Sequence, residues 1–428
     1  MLSSLRPLRH RNFALVWTAA LVSNVGSWMQ TVAVGVLVTA RTGKPGWTGL
    51  VAAAAFLPNG LLSPIGGVMT DRMDRRLWLF VTTAGETAFA VVLTVLAATG
   101  HASPGAVTLL VLGGGAMSAI GFPAYQAMLP DLVPADQLGP AISLSSAQYN
   151  MGRVVGPALA GLAIVAGGYA VAFGINAASF LAVLVALALV RLPRRPPVGE
   201  AASLRRRLAE GAQAVRASRP TSVAVLLVGA VALTASPFIA LVPAVALKAF
   251  HSKAGGTAVL VTAQGIGAVA GALTLTPLVR RFGRRRLLVA DLVAVCALLV
   301  AYGAAPSLWV GAAALCLVGA TYLGVLAGCN TVVQLHAPPA LRGRVLGIYM
   351  MALGTLYPVG ALLQGNLANL VGIRAVTIGG ALLLLVLLLA VLIRRIPHEL
   401  DLPATVHAAP AQATSLRSDA GEPSTASG

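Results

Sequence analysis

Apolar stretches long enough to cross a lipid bilayer follow one another along nearly the whole chain. Each holds about 20 predominantly apolar residues, which is the length a helix needs to span a hydrocarbon core of about 30 Å. Because 57% of the side chains are hydrophobic and only 10% are charged, a soluble globular fold is excluded. We predict an all-α membrane protein with twelve transmembrane helices. The predicted spans are approximately 12–40, 46–70, 77–99, 104–129, 138–167, 168–190, 221–249, 254–279, 287–304, 306–335, 341–370 and 371–393.

A repeat at an offset of about 205 residues predicts two pseudo-symmetric six-helix bundles. A basic loop follows the second span and another follows the eighth, and the stretch at 134–139 is echoed at 338–343. Duplicated halves around a central site are common in secondary transporters. The predicted units are an N-terminal bundle at 1–190, a cytoplasmic linker with an amphipathic helix at 191–220, a C-terminal bundle at 221–395 and a disordered cytoplasmic tail at 396–428.

The distribution of Lys and Arg predicts the orientation of the spans, because cytoplasmic loops are enriched in these residues. Most of the 30 basic residues fall on the side that holds both termini and the linker. The cations expected on the other side are Arg41, Lys44, Lys248, Lys253 and Arg374. We therefore predict a multi-pass protein of the cell inner (plasma) membrane with both termini in the cytoplasm. These loops account for the net charge of +18, so no nucleic-acid partner is predicted.

A glycine-rich stretch inside the fifth span carries Arg153. A charged residue at bilayer depth costs about 2.5–3.5 kcal/mol unless it faces protein or water, so Arg153 is expected to face a cavity. Asn150, one helical turn earlier, is a candidate partner. Small residues allow another helix to approach closely, and a proline removes a backbone donor and bends the helix. Helix packing of this kind is predicted at Gly152, Gly156, Pro157 and Gly161.

Further polar and aromatic residues are predicted at a similar depth in the membrane. Together they suggest a large, mostly apolar cavity with few fixed charges, suited to a lipophilic or mixed-polarity substrate. The alternative for each residue is a hydrogen bond between helices. The candidates are Asn24, Gln30, Tyr149, Asn150, Arg153, Gln264, Tyr322, Tyr349, Tyr357 and Gln364.

Two acidic residues, Glu86 and Asp291, lie within the predicted spans. Carboxyl groups inside membranes serve in proton relays, so both are candidates for coupling transport to protons, with Glu86 first. The alternative for Glu86 is a neutral, hydrogen-bonded residue between helices. The alternative for Asp291, which lies five residues after Arg286, is an ion pair with that basic cluster. The first span carries no acid, which leaves proton coupling open.

The loop after the second span holds Gly67, Asp71, Arg72, Arg75 and Arg76. With these residues it resembles the signature loop of the major facilitator superfamily. Asp74 stands where the family has a second Gly. The resemblance implies a gate between helix ends. Independently of the family, Asp71 can meet the positive end of a facing helix, and Arg75 can reach Asp131 at the end of the fourth span. A plain topology signal is the alternative, although it would not require acids. The predicted gating residues are Gly67, Asp71, Arg72, Arg75, Arg76 and Asp131.

The stretch around Arg153 resembles the Gly-Pro motif of drug-exporting antiporters in the same superfamily, with Ala160 where a Gly is usual. With the segments at 122–130 and 132–134, the chain resembles the branch that holds siderophore exporters and macrolide efflux proteins, of the transmembrane secretion effector type. This resemblance implies the major facilitator fold. It also implies export of hydrophobic drugs, natural products or siderophores, by proton antiport and alternating access.

Two other functions stay open: an importer or facilitator of a small metabolite, and the membrane subunit of an ATP-driven pump. No lysine in the chain is followed by Ser or Thr, so the sequence has no phosphate-binding loop of the Gly-Lys-Ser/Thr type. Its three cysteines lack metal-ligand spacing, and no nucleophile–base pair is visible. We predict a non-enzymatic monomer without cofactor or metal, whose partners are a small-molecule substrate, protons and the lipid bilayer.

Overall fold

The computed structural model describes residues 2–190, 204–252, 254–338 and 341–393, and these ranges contain helices and no strand. The all-α class is confirmed. The first part of the predicted linker, 191–203, and the tail at 396–428 lie outside the described residues. The α-helices are α1 (Arg11–Thr42), α2 (Pro45–Arg72), α3 (Arg75–Ala98), α4 (Pro104–Leu132), α5 (Leu138–Leu189), α6 (Leu204–Ala217), α7 (Arg219–Thr234), α8 (Pro237–Lys248), α9 (Ala254–Phe282), α10 (Arg284–Ala304), α11 (Leu308–His336), α12 (Arg342–Val371) and α13 (Ile373–Ile393). Short 3-10 helices occupy Leu2–Arg9 and Ala135–Gln137.

Helix α5 crosses the membrane twice. Its 52 residues would extend about 78 Å as a helix, more than twice the thickness of the hydrocarbon core. Gly167 and Gly168 leave helical geometry, and Gly168 adopts φ +75°, which a residue without a Cβ tolerates. They divide α5 into a first arm, 138–166, and a second arm, 169–189. The described helices include eleven candidate spans, and counting both arms of α5 gives the twelve predicted crossings.

The seventh predicted span, 221–249, corresponds to one candidate span, Arg219–Lys248, whose helix is interrupted where Ala235 and Ser236 separate α7 from α8. Pro237 explains the break. It has no backbone N–H, and its ring leaves no room for the carbonyl of Leu233 in a regular helix. The backbone N–H of Ser236 instead donates to the carbonyl of Val231 at 2.8 Å. The remaining crossings agree with the predicted spans to within a few residues.

The buried apolar side chains form separate cores in the two parts of the chain. The largest cluster takes its residues from α6 to α13, and the other clusters take theirs from α1 to α5. We call α1–α5 the N-terminal half and α7–α13 the C-terminal half. The predicted amphipathic helix is present as α6, and its Ala214 and Val215 are buried in the core of the C-terminal half.

Helix α6 is also attached to α12 by an ion pair. Glu210 accepts a hydrogen bond from Arg206 at 2.8 Å and contacts Arg344 on α12. The hydrogen bond from Arg206 holds the pKa of the Glu210 carboxyl below its ordinary value. Gly211 lets α6 approach closely, since a Cβ at this position would lie 3.1 Å from the carbonyl oxygen of Arg344. The linker helix is therefore fixed to the C-terminal half.

The two halves meet mainly along α2 and α12, at the end of the molecule that carries the α1–α2 connection. Gly60 and Gly354 bring the two backbones together, since a Cβ at Gly354 would lie 3.3 Å from the Cα of Gly60. The backbone N–H of Gly46 donates to Asn369 Oδ1 at 3.3 Å. Farther along the same helices, a Cβ at Gly67 or Gly347 would meet no atom within 4 Å. We call the tightly packed end the closed end; the two halves separate toward the opposite end.

Candidate functional site

Arg153 lies at the centre of the molecule, between the two halves. It projects from the first arm of α5, and its guanidinium carbon is 5.5 Å from the ring centroid of Trp28 on α1. The same Trp28 ring meets Tyr149 edge-on, with centroids 6.0 Å apart. Among the described side chains Arg153 forms no ion pair. The side chain of Asn150, its predicted partner, lies outside the described ones.

The motif glycines explain why α1 and α5 approach closely enough to hold this group. A Cβ at Gly152 would lie 2.9 Å from Asn24 Cβ, and one at Gly156 would lie 2.7 Å from Trp28 Cβ. Gly161 faces the other half, because a Cβ there would lie 2.9 Å from Ala258 on α9. Pro157 is buried in the same helix. These residues therefore place Arg153 between α1 and α9.

The C-terminal half contributes two tyrosines to the same space. Tyr322 on α11 and Tyr357 on α12 both lie within electrostatic reach of Arg153. The ring of Tyr357 packs edge-on against Phe56 of α2, with centroids 5.4 Å apart. Tyr149 is enclosed by protein and yet 44% exposed, as expected for a side chain that lines an internal cavity. We define Trp28, Tyr149, Arg153, Tyr322 and Tyr357 as the central cluster.

Two of the predicted cavity residues bind within the N-terminal half instead. Asn24 Nδ2 donates to Gln148 Oε1 at 2.8 Å, and Asn176 Nδ2 donates to Gln30 Oε1 at 2.8 Å. Gln148 is 2% exposed and Asn176 is fully buried. These bonds join α1 to both arms of α5. Gln148 and Asn176 were missed as site-forming residues, although single amides inside apolar spans were the signal that could have found them.

The remaining cavity candidates lie inside the C-terminal half. Gln264 on α9 is 3% exposed, and its Nε2 has no hydrogen-bond partner among the described residues. The Tyr349 hydroxyl donates to the carbonyl of Leu326 at 2.9 Å. Gln364 Nε2 donates to the carbonyl of Thr234 at 2.7 Å. Only the aromatic and cationic candidates are thus brought together around Arg153.

The basic pair of the signature loop binds helix ends within the N-terminal half. Arg75 Nη1 lies 3.3 Å from Asp131 Oδ2, the contact expected from the sequence, and donates to the carbonyl of Ala127 at 2.9 Å. Arg76 donates to the carbonyls of Leu187 and Ala188, at 2.5 and 2.9 Å. Leu187 and Ala188 lie in the last turn of α5, where carbonyls have no partner within the helix, so Arg76 satisfies them.

The acids of the same loop have different surroundings. Asp74 caps α3, because its Oδ1 accepts from the backbone N–H of Leu77 at 2.9 Å. This cap explains the departure from the family's second Gly. Asp71 lies partly buried in the last turn of α2, and Arg72 beside it is exposed. Gly67 faces open space, so this face of α2 is free to receive another helix.

Glu86 and Asp291 lie on the helices that follow the two basic loops, Glu86 as the twelfth residue of α3 and Asp291 as the eighth residue of α10. Glu86 on α3 hydrogen-bonds to the Ser118 side chain on α4. Asp291 on α10 faces α11, where a Cβ at Gly324 would lie 2.8 Å from its Cγ. Among the described residues Asp291 forms no ion pair with the basic cluster. Both acids therefore face a neighbouring helix of their own half.

Comparisons with known proteins agree on the kind of molecule. The sequence profile of the family described as transmembrane secretion effector matches residues 2–422. The enterobactin exporter of Citrobacter koseri is 29% identical over 394 residues, covering 90% of this chain and 92% of the relative. The enterobactin exporter of Salmonella typhi is 28% identical over 392 residues, with the same coverage of each chain.

Solved structures with the same fold are transporters as well. The nucleoside transporter NupG superposes with a TM-score of 0.68 at 15% identity, covering 90% of this chain and all of that one. A bacterial homologue of the human lysosomal transporter Spinster, inward-facing and unoccupied, gives a TM-score of 0.70 at 15% identity. It covers 88% of this chain and 95% of its own. At this identity the likeness shows the fold, which is the predicted major facilitator fold.

Proposed function

Because the chain belongs to the transmembrane secretion effector family of major facilitator transporters, we propose that it exports siderophores, natural products or hydrophobic drugs from the cytoplasm. It is a multi-pass membrane transporter and not an enzyme. The relatives named above are enterobactin exporters, which supports export as the direction. We further propose that both termini are cytoplasmic, that the protein works as a monomer, and that the closed end faces away from the cytoplasm.

The central cluster is the observation that carries this proposal. It combines one cation with four aromatic side chains at the interface of the two halves, and Arg153 has no described acidic partner. Aromatic walls take apolar ring systems, while a guanidinium without an acid is left to bind an acceptor or an anionic group. Such a site suits a mixed-polarity molecule that contains rings and oxygen acceptors.

Proton antiport with alternating access is the mechanism we propose. Opening at one end and closing at the other requires two packings of the halves. Glu86 and Asp291 are the proposed coupling residues, and their places on α3 and α10, the helices that follow the two basic loops, support this choice. Both would act through α4 and α11, because neither faces the central cluster.

An accumulation assay tests the function. Cells with and without the protein are loaded with enterobactin, with erythromycin as a macrolide and with ethidium as a lipophilic cation. We expect cells with the protein to hold at least about threefold less of one or more compounds, and a protonophore to abolish the difference. Equal accumulation of all compounds contradicts export, and greater accumulation in cells with the protein would indicate import.

The gating role of Asp71 leads to a separate prediction. Asp71→Asn is expected to slow transport about three- to tenfold while substrate affinity and protein level stay nearly unchanged, because it removes a charge from a gate and not from the cavity. Asp74→Asn is the matched control: it loses the same charge in the same loop, but Asn still caps a helix. Initial rates in proteoliposomes measure both. Equal rates for the two variants would reduce this loop to a topology signal.

A further inference from the structure

The interruption between α7 and α8 leaves two carbonyl oxygens without helical partners. Pro237 has no N–H to offer the carbonyl of Leu233. The N–H of Phe238 donates to Ala235 at 3.1 Å, so it does not serve Thr234. Helix α7 is 16 residues long, which places the interruption about 24 Å along the span. Carbonyls at this depth need partners from the protein.

Helix α12 supplies that partner from a side chain. Gln364 Nε2 donates to the carbonyls of Leu233 and Thr234, at 3.2 and 2.7 Å. Glycines on two helices make room for the irregular backbone. A Cβ at Gly360 would lie 2.9 Å from Pro237 Cγ, and one at Gly380 on α13 would lie 2.5 Å from the carbonyl oxygen of Thr234. The α7–α8 interruption is therefore packed closely against α12 and α13.

Ser236 connects this interruption to the central cluster. Its hydroxyl lies 2.8 Å from the hydroxyl of Tyr322, and it also donates to the carbonyl of Val231 at 3.0 Å. The ring of Tyr322 packs edge-on against Phe238, the second residue of α8, with centroids 5.6 Å apart. Tyr322 is 4% exposed and lies within electrostatic reach of Arg153, so the side chain that holds Ser236 packs directly behind the rest of the central cluster.

Helix α8 contacts the N-terminal half and so links the interruption to it. A Cβ at Gly35 on α1 would lie 2.9 Å from Pro243 Cγ, so α8 and α1 are in close contact. At the end of α8, Lys248 Nζ would lie 3.7 Å from a Cβ at Gly43, in the α1–α2 connection. Helix α8 is therefore part of the wall of the closed end.

We propose that Ser236 and Gln364 are positioning residues for transport, which hold a hinge at the α7–α8 interruption and join Tyr322, behind the rest of the central cluster, to the closed end. Side-chain hydrogen bonds replace backbone bonds at the hinge, so α8 can tilt against α1 without unwinding either helix. Tyr322 then transmits occupancy of the cavity to α8 through Ser236. The inference rests on the proposed function only for the use of this tilt in transport.

Distances across the closed end test the hinge without any substrate. Spin labels are placed at Thr42→Cys and Lys248→Cys in a protein whose native cysteines are replaced, and their separation is measured by pulsed electron resonance in lipid nanodiscs. We expect the parent to show one main short distance. Gln364→Met and Ser236→Ala should each raise the population of longer distances at least threefold.

Thr377→Val is the matched control, because it removes a buried hydroxyl that donates within α13, to Ile373 at 2.9 Å, and leaves the interruption intact. We expect this variant to show the same distribution of spin-label distances as the parent protein. The same shift in Thr377→Val, or no shift in both hinge variants, overturns the proposal. Because no substrate is present, a failure to find an exported compound leaves this result valid.

A double-mutant cycle tests the connection through Tyr322. Tyr322→Phe removes the hydroxyl that faces Ser236 and keeps the ring, so it should shift the distances as Ser236→Ala does. If the two residues act through one hydrogen bond, combining them should add little to either single change. Full addition of the two shifts would show that Ser236 and Tyr322 act separately and would overturn the proposed path.

Discussion

Replacing Arg153 with Gln is expected to lower the transport rate per folded molecule by roughly tenfold to a hundredfold. A hydrogen bond to a charged group contributes about 1.5–3 kcal/mol, and each 1.4 kcal/mol corresponds to about tenfold. Gln keeps an amide donor but loses the charge and the contact of a cation with the Trp28 ring, now at 5.5 Å. Initial rates of export in proteoliposomes, normalised to folded protein, measure the effect.

Two further variants separate a functional Arg153 from a structural one. Arg153→Lys keeps the charge but loses the planar five-donor group, so we expect an intermediate rate. Arg41→Gln is the matched control, because Arg41 donates to the carbonyls of Gly100 and Ala102 within the N-terminal half. It should lower the yield of folded protein and leave the rate per molecule nearly unchanged. Parent-like rates for Arg153→Gln would exclude the role proposed for this residue.

The crossings were predictable because a bilayer imposes a length on every apolar helix. The same property hides which face of each helix is buried, since lipid is as apolar as a protein core and leaves little periodicity in the sequence. Asn24 and Tyr149 illustrate the difference. Both are predicted at mid-depth; in the structure the side chain of Tyr149 is 44% exposed, while Asn24 donates to Gln148 on α5. The rotation of each helix depends on contacts more than a hundred residues away in sequence.

Gln364 shows a second limit of the sequence. It was expected in the cavity because amides inside a span need partners, and the partner was unknown. The structure gives it the carbonyls left free by Pro237 on another helix. A proline inside a span is a local sign of a break, but nothing local indicates which distant donor would satisfy the freed carbonyls. By contrast, the contact of Arg75 with Asp131 was predictable, since opposite charges near adjacent helix ends have few other choices.

The closed end leads to the second large effect. Gly49→Ala is expected to reduce transport about tenfold, because a Cβ at Gly49 would overlap the carbonyl oxygen of Ala361 and force α2 away from α12. Overpacking of this kind costs about 1–3 kcal/mol, and it destabilises only the state that is closed at this end. An impermeant thiol reagent should therefore label Phe56→Cys several times faster in the Gly49→Ala background. Gly379→Ala on α13 is the control, since a Cβ there meets no atom within 4 Å.

A substitution at Gly347 tests the opposite state, in which the two halves would close at the other end of the molecule. In the structure a Cβ at Gly347 meets no atom within 4 Å, so Gly347→Ala should leave the present packing, and the labelling of Phe56→Cys from outside, unchanged. If the two halves close during the cycle at the end that holds Gly347, α2 and α12 must approach there as they do at Gly60 and Gly354. The added methyl group would then obstruct this approach. We expect transport to fall several-fold while folded yield rises or stays constant, since Ala favours the helix over Gly. Full transport by Gly347→Ala would mean that the second closed state is built from other helices.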